Sequence, residues 1–176
     1  AMDFVKEMVE ARRCLHKRPE EGWTEFETTW FIAKRLKALG LQVTIGKANI
    51  CESEVLGRDP VLVSDAMKRA AAHGVPEDFL KATEGYTGAV ARFDTGKPGP
   101  TTAFLLRGDI DGLSVKEKTG LPFASQNDGF MHACGHDGHT AVGLAVAHWL
   151  VMNKDRLCGR FILIFQPAEE GVRGAR

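Results

Sequence analysis

The sequence predicts an α/β fold on three observations: an amphipathic helix at its start, short apolar runs that suit buried strands, and alternation of the two along the chain. Phe4, Val5, Met8, Ala11 and Leu15 recur at three- and four-residue steps, which places a first helix over Phe4 to Leu15, ending before Pro19. Thr24 caps a second helix with Glu27 as its capping-box partner, Phe26, Trp30, Ala33, Leu36 and Leu39 form the stripe, and Gly40 is the stop. Leu41 to Ile45, Tyr86 to Phe93 and Thr101 to Leu106 read as strands, the last two joined by the turn-rich link Asp94 to Pro100. Gly138 to Met152 has helical periodicity, and Arg160 to Gln166 suits a strand buried on both faces. Between Gly46 and Gly85 a stretch interrupts this rhythm, with one helix from a Ser64 cap to a Gly74 stop and a short one after Pro76; it reads as an insertion beside the sheet.

Composition narrows the function classes. The 176 residues are enough for one domain with a real core, and 44% apolar content is ordinary for a globular chain. Twenty-three basic and 23 acidic residues give zero formal charge, so nothing points to nucleic acid or an anionic membrane as partner. No apolar run reaches the roughly 18 residues of a membrane span, and the charged start lacks a signal peptide's apolar stretch, so the chain reads as cytoplasmic; Ala1 is set aside as a tag remnant. Cys14, Cys51, Cys134 and Cys158 form no C-x-x-C pair and do not resemble a disulfide framework; apart from Cys134 they read as small buried or half-buried thiols.

Three places combine metal-competent side chains with the ends of expected strands, where open α/β sheets build sites. His132 to His139 holds three of the six histidines with Cys134 and Asp137, spaced by glycines. Cys134 and His136 can face one ion from an irregular loop, and thiolate with imidazole suits zinc or a neighbouring transition metal. Asp109 and Asp111, two apart after a strand, can ligate a metal, orient a ligating histidine, or simply form a turn; Asp137 can also serve as N-cap of the following helix. Glu169 and Glu170 emerge directly after the most apolar strand, where diverging neighbours let one bind metal while the other handles a proton; two surface glutamates are the alternative. His16 and His73 read as residues of helix surfaces or ends, and His148 as a packed or half-exposed histidine. Gly171 to Arg176 is a basic tail that could approach an anionic substrate.

Three motifs, Arg107-Gly108-Asp109-Ile110-Asp111-Gly112-Leu113, Met131 to Ala141 and Phe165-Gln166-Pro167-Ala168-Glu169-Glu170-Gly171, resemble in order and spacing those of the metal-dependent amidohydrolases related to aminoacylase, glutamate carboxypeptidase and the auxin-conjugate hydrolases. Arg18 to Phe26, the 46–85 segment and Gly171 to Arg176 look most like the A subunits of aminobenzoyl-glutamate hydrolases. The resemblance implies a co-catalytic metallopeptidase-like catalytic domain, a mixed sheet with flanking helices. Residues 2–176 would be its N-terminal portion, and the lid or dimerisation domain and C-terminal half would lie outside the chain.

It further implies Cys134, His136 and Glu170 as metal ligands, Glu169 as general base, Asp111 as an orienting residue, and Asp109, His139 and Asp137 as supporting residues. Relatives that bind metal through a histidine two places before Asp111 differ here, where Asp109 stands. The implied reaction is metal-assisted cleavage of an aryl- or acyl-amino acid, p-aminobenzoyl-glutamate to p-aminobenzoate and glutamate, with two ions of zinc or manganese in the whole enzyme and this piece inactive alone. Its implied partners are a small-molecule amide substrate and a second copy or a related B subunit. Two rivals are a non-catalytic metal-binding module of the same fold, which leaves Glu169 beside Glu170 without a use, and a phosphoesterase on His136 and Asp137, which leaves Gln166 to Glu170 unexplained.

Overall fold

A computed structural model describes residues 4–99, 103–171, 173 and 174. Two helices, α1 (Phe4–His16) and α2 (Phe26–Ala38), precede strand β1 (Gln42–Ile45); α3 (Pro60–Ala72) and α4 (Glu77–Ala82) precede β2 (Ala89–Asp94) and β3 (Phe104–Asp109); and α5 (His136–Met152) leads into β4 (Arg160–Gln166). The sheet order is β1-β2-β4-β3. β1 pairs antiparallel with β2 and β2 with β4, while β3 runs parallel to β4, with Asp109 opposite Gln166. This is the α/β sheet the alternation implied, mixed as the resemblance implied, and α5 supplies the crossover that a parallel pair requires.

The main core lies between the sheet and one layer of helices. Ile32 and Leu36 of α2 and Leu144, Ala147 and Leu150 of α5 pack on Ala91, Phe93, Leu163 and Phe165. Burying each of the larger side chains contributes roughly 2 kcal/mol. A second cluster joins Trp23, Phe26 and Ala33 to Val63, Ala66 and Ala70 of α3, Phe79 and Leu80 of α4, and Ala168. The 46–85 segment therefore packs against the start of α2 and against the turn that follows β4.

Local chemistry shifts several boundaries. Glu25, not Thr24, holds the N-cap position of α2, and its side chain makes no cap bond. No capping box forms, because the buried Glu20 accepts the amides of Glu27 and Thr28 at 3.2 and 2.9 Å while Glu27 pairs with Arg18 and His73. α3 begins four residues before Ser64: Asp59 caps it by accepting the Val61 amide, and Pro60 supplies a first residue with no donor to satisfy. β2 starts at Ala89 because the Tyr86 hydroxyl donates to Glu52 and Tyr86 packs edge-on to Trp23 outside the sheet.

β3 runs to Asp109, three residues further than the pattern suggested, with Thr101 and Thr102 outside the described residues. α5 starts at His136, since Gly135 takes a left-handed φ of 91° open to glycine and serves as N-cap; Asp137 lies inside the first turn and does not cap it. β4 is covered on one side only, Leu163 and Phe165 being buried and Ile162 and Ile164 half-buried. All four thiols are free and exposed, contrary to the expectation of buried cysteines. His16 is buried, not on a helix surface, because its Nδ1 lies 2.7 Å from Asp137. Among the described residues no helix is long and apolar enough to cross a membrane.

Candidate metal centre

The parallel pair β3–β4 brings two of the three motif segments to one edge. Asp109 ends β3, the Ile110 amide extends the ladder to Gln166 O at 3.0 Å, and Asp111 follows in the interior. Glu169 and Glu170 lie in the turn just past β4, and α5 starts beside them with His136, preceded by Cys134. The site thus forms at the C-terminal ends of adjacent parallel strands.

Cys134, His136 and Glu170 converge, their ligand atoms all within 4.8 Å of one another, and Asp109, His136 and His139 form an overlapping second group. His136 is 2% exposed and its Nδ1 lies 3.0 and 3.1 Å from the carbonyl and Oδ1 of Asp111. With the proton on Nδ1, which donates to Asp111, the Nε2 lone pair faces Glu169 and Glu170 at 3.8 and 3.9 Å. Asp111 also accepts the Glu170 amide through Oδ2 at 3.0 Å. One buried carboxylate therefore orients an imidazole and a glutamate backbone together.

The remaining candidates are placed differently. Asp109 accepts from the Arg107 guanidinium and lies 3.5 Å from the half-exposed His139, whose ring stacks on His136. The Asp137 carboxylate turns away from the cluster toward Arg12 and His16, both at 2.7 Å. His132 is buried, with both ring nitrogens unpartnered among the described residues. Burial, the largest cause, pushes its pKa down to about 4, so it is neutral near pH 7. His148 is half-buried and pairs with Glu7. The basic tail is described only at Gly171, Arg173 and Gly174, where Arg173 donates to the Gly57 carbonyl; Val172, Ala175 and Arg176 lie outside the described residues.

Electrostatics favours a cation. Burial would raise Asp111, but the hydrogen bonds from His136 and the Glu170 amide outweigh it and hold the carboxyl below its ordinary range. Burial alone would lower His136, and the Asp111 hydrogen bond and charge reverse that direction. The Cys134 thiol is pushed up by burial first, then by its hydrogen bond to Glu170 and the charges of Glu170, Glu169 and Asp111. That concentrated negative charge is what a divalent ion offsets, leaving the thiol free to ionise. The donor set of one thiol, one imidazole and one carboxylate fits such an ion. Glu170 Oε1 is moreover buried without a hydrogen-bond partner among the described residues, and coordination satisfies it. Beside the cluster a cleft of about 370 Å³ is lined by Leu106, Gly108, His139, Val142 and Phe165.

Two buried glutamates escaped sequence reasoning. Glu20 and Glu25 are both almost wholly buried; Glu20 accepts amides at the start of α2, and Glu25 accepts the Ala168 amide at 2.8 Å in the turn carrying Glu169 and Glu170. Nothing in their spacing signals this, because the partner lies far along the chain.

Known proteins resemble the chain in sequence and in fold. The chain is 49% identical to an indole-3-acetyl-aspartic acid hydrolase of Enterobacter agglomerans, over 98% of this chain and 41% of that protein. It is 48% identical to a Haemophilus influenzae homolog of one of the subunits of p-aminobenzoyl-glutamate hydrolase, over 97% and 42%. The crystal structure of an aminobenzoyl-glutamate utilization protein from Klebsiella pneumoniae superposes with a TM-score of 0.80 at 38% identity, covering 98% of this chain and 39% of that one. A Bacillus subtilis protein described as a dinuclear metal-binding peptidase of family M20 superposes at 0.70, with 33% identity and coverage of 97% and 37%. The chain thus spans about two fifths of the length of these relatives. Its residues 105–176, the stretch that contains all three motifs, match the model of peptidase family M20/M25/M40.

Proposed function

We propose that the protein carrying this chain is a metal-dependent hydrolase of the amide in an aryl- or acyl-amino acid, with p-aminobenzoyl-glutamate as its substrate. The observation that carries the reading is the convergence of Cys134, His136 and Glu170 with Glu169 directly beside them. Cys134, His136 and Glu170 would hold a divalent ion, zinc or manganese, which when bound supplies Lewis acidity toward the amide carbonyl and toward water.

The chain's own residues do the rest. Glu169 projects beside His136 with its side chain 39% exposed, so it can take the proton of the attacking water and return it to the amide nitrogen as that bond breaks. Water and amide become carboxylic acid and amine, and no covalent enzyme intermediate is required. Asp111 keeps His136 in the tautomer that presents Nε2. Asp109 and His139 flank the site from the β3 side, and Asp137 supports α1 against α5 through His16 and Arg12. A poised carboxylate beside a ligand has no use in a purely structural metal site, which disfavours the non-catalytic reading.

The substrate assignment follows the names of relatives that act on p-aminobenzoyl-glutamate, and the naming of the Haemophilus influenzae relative after one of several subunits supports a second, related polypeptide in the assembly. A second reading, indole-3-acetyl-aspartate, is favoured by the Enterobacter agglomerans relative. Both substrates join an aromatic acyl group to an acidic amino acid. The 176-residue piece alone is expected to turn over neither, since it spans only about two fifths of the length of its relatives. The test is product release by the intact protein from both substrates and from a simple N-acetyl amino acid, before and after chelation. Chelator-sensitive release of p-aminobenzoate supports the proposal, and release that survives complete metal removal contradicts it.

A further inference from the structure

We infer that Glu25 is a positioning residue for the Glu169–Glu170 pair, a buried carboxylate that holds the Ala168 amide and so fixes the turn presenting both glutamates. The inference rests on the metal-hydrolase reading above.

Ala168 has a φ of 52°, a left-handed backbone that an L-residue with a Cβ seldom adopts unless its surroundings impose it. Those surroundings are unusual. Glu25 Oε1 accepts the Ala168 amide at 2.8 Å and Oε2 accepts the Thr87 hydroxyl at 2.6 Å, and all three residues are completely buried. The partners found for Glu25 are neutral donors, so the carboxyl is not placed there as half of an ion pair. It occupies the N-cap position of α2 yet contributes no side-chain bond to that helix, its bonds going instead to the turn after β4 and to Thr87.

The turn is held a second time from the other side. Asp111 accepts the Glu170 amide at 3.0 Å, so the amides on either side of Glu169 are fixed by two buried carboxylates from separate parts of the chain. Gly22 closes the remaining freedom: a Cβ there would sit 2.8 Å from Ala168 Cα. Between these supports the Glu169 and Glu170 side chains both project toward His136, at 3.8 and 3.9 Å. Burial first, then the charge of Asp111, raise Glu25 to about 8, so glutamine matches both its shape and its favoured charge near pH 7. Its amide can still accept from Ala168, with the Thr87 bond reversed.

The test uses the intact protein with cobalt(II) as the metal probe, its affinity read from the thiolate charge-transfer absorption, alongside kcat and KM for p-aminobenzoyl-glutamate. Glu25→Ala is expected to unfold cooperatively, yet to bind cobalt about tenfold more weakly and to lose about 10- to 100-fold in kcat, with KM within about twofold. Glu25→Gln should recover both to within about threefold of wild type. Wild-type cobalt affinity and kcat in Glu25→Ala, or a Glu25→Gln no better than Glu25→Ala, overturns the inference. Should Glu25→Ala fail to fold, Thr87→Val removes only one of the two supports of the carboxyl. A kcat drop with KM retained then supports the inference, and unchanged kcat and cobalt affinity overturn it. Glu170→Ala separates the two layers: if it loses cobalt while Glu25→Ala does not, the positioning role alone falls, and if Glu170→Ala binds cobalt normally, the metal-centre reading falls and takes the positioning role with it.

Discussion

Oδ1 of Asp111 lies 3.1 Å from Nδ1 of His136, with both side chains almost wholly buried. The contact fixes the imidazole ring plane and leaves Nε2 as its only outward nitrogen. Asp111→Asn keeps an acceptor but removes the charge that favours a proton on Nδ1 and that raises the ring's basicity. Metal affinity or kcat should fall about 10- to 100-fold, with folding retained. Metal titration of the intact variant measures this, and an affinity equal to wild type would remove Asp111 from the account.

Glu20 and Glu25 give the chain an unusual pH dependence. Burial raises both, helped by the charge of Glu27 for Glu20 and of Asp111 for Glu25, to about 7 and about 8 against an ordinary 4.5. A carboxyl with a raised folded pKa holds its proton more tightly in the folded state. Its contribution is therefore complete below 4.5 and is lost as pH climbs through the folded value. His132 works oppositely between about 4 and 6.5, where the unfolded chain binds the extra proton, and is flat above that. Stability should therefore decline on going from pH 6.5 to 8, by on the order of 2 kcal/mol. Urea midpoints across that range should show the slope, and Glu25→Gln should flatten it; an equal slope in the variant would contradict the assignment.

Gly22 tests the turn by crowding. Its missing Cβ leaves room for Ala168, and Gly22→Ala would meet both Cα and Cβ of that residue within 3 Å. Overpacking of this kind costs about 1–3 kcal/mol. Denaturation should show that loss, and the displaced turn should lower metal affinity as well. A variant as stable as wild type would show that the two segments pack less closely than described.

The edge strand offers a further expectation. Among the described residues β3 pairs only with β4, and Leu105 is 60% exposed on it. An apolar edge of this kind templates pairing with another copy. Leu105→Lys should therefore reduce concentration-dependent self-association of the 176-residue chain in sedimentation velocity, whereas unchanged association would place the contact elsewhere.

What was legible in the sequence divides along the range of the interactions. β4 and α1 were readable because period and apolar content decide them locally, and Cys134, His136 and Glu170 stand out as candidates because each sits in a compact motif beside a strand or helix end. The start of α5 was misplaced by two residues because glycine's left-handed φ at position 135, not Asp137, terminates the preceding loop. The capping box failed for a long-range reason: Glu27 is drawn to Arg18 and His73, and Glu20 takes over the free amides of α2. Glu25 was invisible for the same reason, since its two partners, Thr87 and Ala168, meet it only once the sheet has formed.

The central claim assigns metal holding to Glu170 and proton transfer to Glu169, two adjacent carboxylates with separate tasks. The direct measurement is metal content together with turnover for Glu169→Gln in the intact protein. Metal content by elemental analysis should equal wild type while turnover falls by about 100-fold or more, the loss expected when a general base is removed. Near-normal turnover with the metal in place would contradict the account.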